Sequence, residues 1–291
     1  MADVDSLARL CERLPPRRIG VNPMARKEEE PWMSTEIALV TGAGSGTGRE
    51  YTRLLLAEGS ATVVAVSLLA DELASLQAEL DPDGQRLVIR QADLSRPRAA
   101  EDLVQWCDDQ GFEVGTLVNN AGFAVYGAPT EVDLERVETM IGLNVVTTLK
   151  LAVLVGRRMK RRGTGRILIM GSTAGLAPTP RLGAYCATKA FTNSFGWSLA
   201  SELRRSGVQV TVVTPGSFNS KFAATAEVTH NSLLGRLYAH ERLDATTVAQ
   251  RGYTALRRGR SSVTVGFSGY LVSAVSRLLP PAITARTFQL I

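Results

Sequence analysis

Short apolar, β-branched runs alternate with helical stretches from Ile37 onward, and this alternation is the feature that most constrains the fold. The apolar runs are "IALV", "TVVAV", "RLVIR", "TLVN", "RILIM" and "VQVTVVT", and a later "SSVTVG" is a candidate for one more strand. Helical stretches are expected at residues 49–58, 71–80, 99–110, 134–162 and 187–203. Apolar strands separated by helices require a parallel sheet that is covered on both faces. The sequence therefore predicts an α/β fold with a doubly wound parallel sheet.

The composition is that of an ordinary globular protein. The chain has 291 residues, of which 45% are hydrophobic and 21% charged, so it can bury a large core. Its formal net charge of +5 is mildly basic, but no nucleic-acid-binding pattern accompanies it. The three cysteines lie outside any CxxC pattern, and there are only two histidines. We therefore expect no nucleic-acid partner, no disulfide framework and no metal site.

Residues 1–34 differ in character from the rest of the chain. They contain "PPRR" and "RKEEEP" without an apolar period long enough to build a core, which predicts a disordered or loosely docked extension. Residues 35–291 are expected to form a single domain. The N-terminal stretch lacks the continuous apolar core of a signal peptide, and no uncharged apolar run reaches about 18 residues. We therefore expect a soluble, cytoplasmic protein.

Two late segments are candidates for covering a ligand. About fifty residues separate the sixth apolar run from the seventh, far more than a compact fold needs for a connection. Long insertions after a strand's carboxyl end usually form lids, so we predict a substrate lid at residues 217–250, with apolar side chains that favour an apolar guest. The apolar tail at residues 266–291 is expected to cover the pocket, contact another subunit or lie on a membrane surface.

The first predicted strand runs directly into the glycine-rich segment "TGAGSGTGRE". Glycines let the backbone turn sharply and present its N–H groups at a helix N-terminus, where the helix dipole favours a pyrophosphate. The strict G-x-G-x-x-G spacing fails here, and the pattern that fits is Thr-Gly-x-x-x-Gly-x-Gly. The predicted cofactor contacts in this loop are Gly42, Ser45, Gly46, Thr47 and Gly48.

Two other strand ends carry polar or small residues. In "QADLS", a carboxylate after the third strand could accept from an adenine amino group, although a helix N-cap at Asp93 or Ser95 is an equally good explanation. In "NNAG", amides and small residues after the fourth strand would let a cofactor approach closely, and the alternative is a polar turn. The carboxyl ends of parallel strands converge on one crevice, which favours the first interpretation. The predicted contacts are Asp93, Leu94, Asn120, Ala121 and Gly122.

The stretch "YCATK" places a phenol and an ammonium four residues apart, at Tyr185 and Lys189. On a helix these positions share one face about one turn apart, so both groups can meet a common ligand. Taken alone, five residues are better explained as a solvent-facing pair on an ordinary helix. The pair gains meaning only from the motifs that precede it.

Together these motifs resemble those of the short-chain dehydrogenase/reductase superfamily, in its simple single-domain branch, from Ile37 to about Ser220. The glycine loop, NNAG at residues 119–122 and the YxxxK pair all occur in the family's order. The resemblance implies a Rossmann-like sheet of about seven strands in the order 3-2-1-4-5-6-7, with helices on both faces. It also implies that the active-site serine is Ser172 and the active-site asparagine is Asn144.

The resemblance implies a role for each member of this tetrad. Tyr185 donates a proton during carbonyl reduction and accepts one during alcohol oxidation. Lys189 lowers the pKa of that phenol and binds the nicotinamide ribose, so both residues are also candidate cofactor contacts. Ser172 holds the substrate oxygen, and Asn144 positions a water. In the family, the segment after the sixth strand contacts the nicotinamide carboxamide, which assigns that contact to Pro215 and Gly216, with a later hydroxyl at Ser220.

The chain departs from the family pattern at two points. Thr47 stands where the family usually has isoleucine, so local packing is expected to differ. The end of the second strand offers neither a carboxylate for the ribose of NAD nor an arginine for the 2′-phosphate of NADP, although Ser67 can hydrogen-bond either. Because no carboxylate occupies residues 66–69 and Arg49 is within reach, NADP(H) is favoured, with NAD(H) as the alternative.

The predicted function is NAD(P)-dependent interconversion of a ketone and a secondary alcohol on a fairly apolar small molecule, by a homodimer or homotetramer. One alternative keeps the site for epimerisation or dehydration with retained cofactor. Another is a dinucleotide-sensing scaffold without chemistry. The basic run at residues 157–166 is interpreted as a helix C-terminus balanced by the helix dipole, in preference to a nucleic-acid site.

Overall fold

A computed structural model of the chain describes residues 36–59, 62–216, 243–267, 269–270, 272 and 278–289. The predicted extension at residues 1–34 and the candidate cofactor contact Ser220 lie outside this set. The same is true of most of the predicted lid, residues 217–242, and of much of the apolar tail. These expectations stay predictions.

The described residues contain a seven-stranded parallel sheet in the order β3-β2-β1-β4-β5-β6-β7. This confirms the predicted fold class, strand number and strand order. The strand order reverses beside β1, so the carboxyl ends of β1 and β4 border a crevice where a ligand can enter. The strands are β1 (Glu36–Thr41), β2 (Thr62–Ser67), β3 (Leu87–Gln91), β4 (Glu113–Asn119), β5 (Gly165–Met170), β6 (Val208–Pro215) and β7 (Ser262–Val265).

Helices follow the strands close to their predicted positions. Two begin three to four residues earlier than expected, at Gly46 in place of residue 49 and at Gly183 in place of residue 187. The helices are α1 (Gly46–Ala57), α2 (Ala70–Leu80), α3 (Ala99–Asp109), α4 (Leu134–Ile141), α5 (Thr148–Arg162), α6 (Gly183–Leu203), α7 (Ala245–Arg257) and α8 (Pro281–Gln289). A π-helical segment, Gly142–Thr147, joins α4 to α5, and a 3₁₀ turn, Thr173–Leu176, follows β5.

Two apolar layers cover the sheet, one on each face. Along β1, Ile37 and Leu39 point into the layer with α3, α5 and α6, whereas Ala38 and Val40 point into the layer with α1, α2 and α7. This alternation follows from the two-residue period of a strand. Both faces are therefore buried, which is why the strands read as continuous apolar runs.

The structure corrects one boundary of the predicted lid. Residues 245–250 are the first turns of α7, and Val248 and Ala249 are fully buried against the core. Their burial places them in the body of the domain, so the lid prediction can hold only for residues 217–242. The predicted boundary rests on loop length alone, and loop length does not reveal where the next core helix begins.

The stretch Leu134–Arg162 is, within the part of the chain that the structure describes, long and apolar enough to cross a membrane by length and composition. A core helix of a soluble protein passes the same test. Here the stretch contains the π segment with buried Asn144, and α5 packs its apolar side against the sheet. As predicted, its basic end is a helix C-terminus, with Gly163 in the left-handed conformation that closes α5.

Candidate active site

The glycine loop between β1 and α1 leaves the N-terminus of α1 open to an anion. Gly42 has φ +66°, and a Cβ on Gly48 would lie 2.0 Å from the Gly42 carbonyl oxygen, so both positions require glycine. Ser45, the residue before the helix, has an extended backbone, and its side chain makes no capping hydrogen bond. The first N–H groups of α1 thus keep the capacity to bind a pyrophosphate.

The end of β4 is tied to this loop by hydrogen bonds. The Thr41 hydroxyl lies 3.0 Å from each of the main-chain nitrogens of Asn120 and Ala121, which donate to it. The Asn120 amide donates to the Thr41 carbonyl over 3.0 Å and accepts from the Thr47 hydroxyl over 2.7 Å. The difference expected at Thr47 is therefore a hydrogen bond, from the Thr47 hydroxyl to Asn120, that joins the glycine loop to the NNAG segment.

The end of β2 meets the glycine loop at Gly44. A Cβ on Gly44 would lie 2.8 Å from the Ser67 hydroxyl oxygen and 2.7 Å from a carboxylate oxygen of Glu72, in the first turn of α2. Sequence reasoning considered only residues 66–69 for a carboxylate and missed Glu72. Arg49, the cation expected to reach a phosphate here, instead contacts Glu79, the Ser75 carbonyl and the Gly44 carbonyl.

Asp93 follows β3 and forms a local turn. Its Oδ1 accepts from the Ser95 nitrogen over 3.0 Å and from the Ser95 hydroxyl over 2.6 Å, and the hydroxyl bond holds the pKa of the Asp93 carboxyl below its usual range. The helix N-cap alternative is wrong, because α3 begins at Ala99. Leu94 is buried, and its carbonyl accepts from the Thr147 hydroxyl over 2.6 Å. An adenine contact at Asp93 stays a prediction.

Tyr185 and Ser172 meet at the carboxyl edge of the sheet. Tyr185 lies in the first turn of α6, is 7% exposed, and hydrogen-bonds Ser172. Ser172 begins the 3₁₀ turn after β5, and its Oγ accepts from the Ala174 nitrogen over 3.1 Å. The Ser172 Oγ already accepts a hydrogen bond from the main chain, so the hydroxyl proton of Ser172 points in another direction. The hydroxyl of Tyr185 is the neighbouring group.

Lys189 lies one turn after Tyr185 on the same face of α6. Its Nζ donates to the Met170 carbonyl over 2.8 Å and lies 5.9 Å from the centre of the Tyr185 ring. Burial lowers the pKa of Lys189 to about 8. Burial also raises the pKa of the Tyr185 phenol above its ordinary value, and the Ser172 hydrogen bond opposes that rise. The lowering of that pKa by Lys189 stays a prediction.

Asn144 lies in the π segment, where π-bulges often mark functional positions. Its Oδ1 accepts from the Phe123 nitrogen over 3.1 Å, and its Nδ2 donates to the Phe123 carbonyl over 2.9 Å and to the Thr188 hydroxyl over 3.1 Å. A Cβ on Gly122 would lie 2.8 Å from that Oδ1 and 3.7 Å from the Lys189 Nζ. Asn144 thus fixes the backbone after NNAG, and its water-positioning role stays a prediction.

The last predicted cofactor segment closes the same edge. Pro215 ends β6, and its carbonyl accepts from the Thr173 hydroxyl over 3.1 Å. The Gly216 nitrogen donates to the Val265 carbonyl over 2.8 Å. The structure thus brings the glycine loop, the end of β4, the four residues predicted to be catalytic and Pro215 to the carboxyl edge of one sheet.

An apolar cluster surrounds Tyr185. Ala124, Met140 and Tyr185 form its buried part. The partly buried side chains that pack against them are Phe123, Val125, Tyr126, Val137, Ala174 and Leu182. The arrangement places the Tyr185 phenol beside an apolar wall. Within the described residues, no group of three or more His, Cys, Asp or Glu side chains is placed to hold a metal ion.

Sequence reasoning missed three polar residues of α6 that support this site. The Thr188 hydroxyl donates to the Tyr185 carbonyl over 2.7 Å, the Thr192 hydroxyl donates to the Thr188 carbonyl over 2.8 Å, and Asn193 bonds the backbone of Ser172. A signal for Asn193 was available, because the four-residue spacing of Tyr185 and Lys189 continues to residue 193.

Comparison with known proteins places the chain in a family. A family profile described as short chain dehydrogenase matches residues 36–231. The 17-beta-hydroxysteroid dehydrogenase type 3 of Rattus norvegicus is 32% identical over 200 residues, which cover 66% of this chain and 64% of that protein. Very-long-chain 3-oxoacyl-CoA reductase of Ajellomyces capsulatus is 35% identical over 182 residues, which cover 60% of this chain and 53% of that protein. The chain therefore spans less than two thirds of the length of these relatives.

A solved structure agrees with the sequence match. The short-chain dehydrogenase from Sphingobium yanoikuyae in complex with NADPH has a TM-score of 0.70 and 29% identity, over 79% of this chain and 87% of that chain. The family profile covers well over half of the chain, and the residues that it matches carry six of the seven strands, β1 to β6, and the Asn144, Ser172, Tyr185 and Lys189 site. This chain belongs to the short-chain dehydrogenase/reductase superfamily.

Proposed function

We propose that the protein is an NAD(P)-dependent oxidoreductase that interconverts a ketone and a secondary alcohol on a fairly apolar small molecule. The observation that carries the proposal is the hydrogen bond between Ser172 and Tyr185, with the buried Lys189 Nζ 5.9 Å from the tyrosine ring. These groups lie at the sheet edge that also carries the glycine loop. Proton transfer and dinucleotide binding are thereby supported at one place.

The chain's residues suit a dinucleotide at this edge. The uncapped N-terminus of α1 offers N–H donors to the pyrophosphate, and the tight packing of Gly48 on the Gly42 carbonyl fixes the shape of the loop that leads to them. Lys189 holds the ribose, and the Pro215–Gly216 segment holds the carboxamide. When bound, the nicotinamide supplies or accepts the hydride at the substrate carbon.

Each catalytic side chain then acts on the substrate oxygen. Ser172 donates a hydrogen bond to it and holds it beside the Tyr185 hydroxyl. A phenol whose pKa is raised by burial is protonated at neutral pH, so Tyr185 can donate its proton to the developing alkoxide. The buried Lys189 ammonium stabilises the phenolate that remains.

For the cofactor, we propose that NADP(H) is favoured and NAD(H) is accepted. The NADPH complex of the Sphingobium yanoikuyae relative supports NADP(H). The Ser67 hydroxyl beside Gly44 can donate to either a ribose hydroxyl or a phosphate. Glu72 at the same place opposes a phosphate by like-charge repulsion, so we expect the preference to be small.

For the substrate, the apolar cluster around Tyr185 supports an apolar ketone or alcohol. The relatives are named for a hydroxysteroid and for a very-long-chain 3-oxoacyl-CoA, both of which carry large apolar groups. We also propose a cytoplasmic homodimer or homotetramer.

The test is the replacement Tyr185→Phe, which removes the proton donor and keeps the ring. Turnover of a panel of steroid-like, aromatic and long-chain ketones should fall by at least about 100-fold, with cofactor affinity within about 3-fold of the wild type. Tyr253→Phe is the matched control, because that phenol is on α7 and bonds Glu58. Unchanged turnover in Tyr185→Phe would refute the assignment. Product formation without any net change in nicotinamide absorbance would instead support epimerisation or dehydration.

A further inference from the structure

A third polar side chain continues the catalytic face of α6. Tyr185, Lys189 and Asn193 are spaced by four residues, so they lie on one face of the helix in successive turns. Asn193 is 1% exposed and therefore does not reach solvent. Buried amides are normally satisfied, and the partners of this one determine what it does.

Both ends of the Asn193 amide bond the main chain of a single residue, Ser172. The Asn193 Nδ2 donates to the Ser172 carbonyl over 2.8 Å, and its Oδ1 accepts from the Ser172 nitrogen over 3.3 Å. A pair of bonds to one residue fixes that residue's peptide planes against the helix, which a single bond cannot do.

Glycines on both sides of Ser172 permit this close approach. A Cβ on Gly171 would lie 2.1 Å from the Asn193 Oδ1, and a Cβ on Gly175 would lie 2.4 Å from the main-chain carbon of Lys189. The turn that carries Ser172 is therefore seated directly on α6. The Ser172 side chain has only one rotatable bond between its backbone and its oxygen, so the direction of the Ser172 Oγ depends on how the Ser172 backbone is held.

We propose that Asn193 is a positioning residue that acts on the reaction through the Ser172 hydroxyl. By clamping the Ser172 backbone to α6, it holds the hydroxyl between Tyr185 and the substrate oxygen. The inference rests on the proposed function, because it requires that Ser172 takes part in turnover. Asn193 itself touches neither the phenol nor the substrate in this scheme.

A double-mutant cycle separates this role from a merely structural one. Asn193→Ala should lower kcat by about 10- to 100-fold, in line with a lost interaction of 1.4 to 2.7 kcal/mol, and leave cofactor affinity within about 2-fold. In the Ser172→Ala background the same change should cost less than about 3-fold, because there is no hydroxyl left to position. Ser172→Ala keeps the backbone groups that Asn193 binds.

Two further variants control for loss of folding and for the general effect of removing a buried hydrogen bond. Asn193→Ser keeps one polar group at a smaller volume, so it should fold if Asn193→Ala does not, and the same cycle with Ser172→Ala should again be non-additive. Thr211→Val is the matched control, because Thr211 is also buried and bonds a main-chain carbonyl, that of Arg260, over 2.6 Å. Thr211→Val should leave kcat unchanged even if it lowers the free energy of unfolding. In the double variant with Ser172→Ala, kcat should equal that of Ser172→Ala alone.

The outcomes are distinguishable. Each Asn193 variant is compared in the wild-type and in the Ser172→Ala background. If Asn193→Ala and Asn193→Ser each lower kcat by the same factor in both backgrounds, the positioning role is overturned and the proposed function stays intact. Ser172→Ala with full turnover would overturn the role of the Ser172 hydroxyl and with it the positioning role, because Asn193 cannot act through an idle hydroxyl. A wild-type protein that turns over no ketone or alcohol of the panel would instead overturn the proposed function. Non-additivity confined to the Asn193 variants, with additive Thr211→Val, would support the proposal.

Discussion

The hydroxyl of Thr47 donates to the amide oxygen of Asn120 over 2.7 Å and so joins the first turn of α1 to the end of β4. The Asn120 amide nitrogen bonds the Thr41 carbonyl over 3.0 Å. The Asn120 side chain thereby bonds residues at both ends of the glycine loop, Thr41 at the end of β1 and Thr47 in α1. The shape of this loop, which is predicted to contact the cofactor, therefore depends on a bond that an isoleucine at position 47 cannot make.

Thr47→Val tests this bond with little change in volume. The variant leaves the Asn120 oxygen without its hydroxyl partner, at a cost of about 1 kcal/mol, so dinucleotide affinity should fall by about 3- to 10-fold. Fluorescence titration with NADPH and NADH measures it. Thr139→Val is the control, because that hydroxyl bonds the Glu135 carbonyl on exposed α4. Equal affinities of Thr47→Val and wild type would show that the bond does not shape the loop.

Glu72→Gln tests the carboxylate beside Gly44. Removing the negative charge should tighten NADPH binding relative to NADH by about 3- to 10-fold, because the 2′-phosphate no longer faces a like charge. Titration at low and high salt measures the ratio, and the gain should shrink as salt rises. Asp71→Asn, at the exposed neighbouring position of α2, is the matched control. A ratio that moves equally in both variants would assign the effect to net charge rather than to position.

Lys189→Met tests the cost of burying the Lys189 ammonium. Burial lowers the folded-state pKa from the ordinary 10.5 to about 8, so between these pH values the unfolded chain binds more protons. The free energy of unfolding of the wild type should therefore rise with pH through this window, and below about pH 8 the full cost is present. The stability of the variant should not rise through this window, and at pH 7 the variant should be more stable than the wild type by on the order of 3 kcal/mol.

Urea unfolding of the cofactor-free protein at a series of pH values measures the difference between the two proteins. Lys160→Met, at an exposed position of α5, should leave the wild-type slope in place. A slope that survives in Lys189→Met would show that another group titrates in this window.

Tyr51→Phe tests a buried hydroxyl in the core. The Tyr51 side chain is fully buried on α1, and its hydroxyl has no hydrogen-bond partner among the described residues. Phenylalanine removes that unsatisfied group without emptying the site, so the free energy of unfolding should rise by about 1 kcal/mol. Tyr253→Phe should have the opposite sign, because the Tyr253 hydroxyl donates to Glu58 over 2.8 Å. Urea unfolding compares them, and a loss of stability in both would contradict the prediction.

Local patterns in the sequence determined the fold class and most of the candidate site. Apolar runs predicted the seven strands because a strand buried on both faces has no polar side to show. The Tyr185 and Lys189 pair was predictable because a helix repeats every 3.6 residues, so a spacing of four identifies one face without knowledge of its neighbours. The strand order and the roles of Ser172 and Asn144 came from the family resemblance.

The tertiary structure alone decided which distant groups meet. Thr47 and Asn120 are 73 positions apart, and no local period relates them. Glu72 reaches Gly44 only because α2 folds back beside the loop, and the amide of Asn193 reaches Ser172 only because glycines bring the 3₁₀ turn onto α6. Such contacts depend on how closely elements pack, and packing distance is set by side chains that are far apart in the sequence.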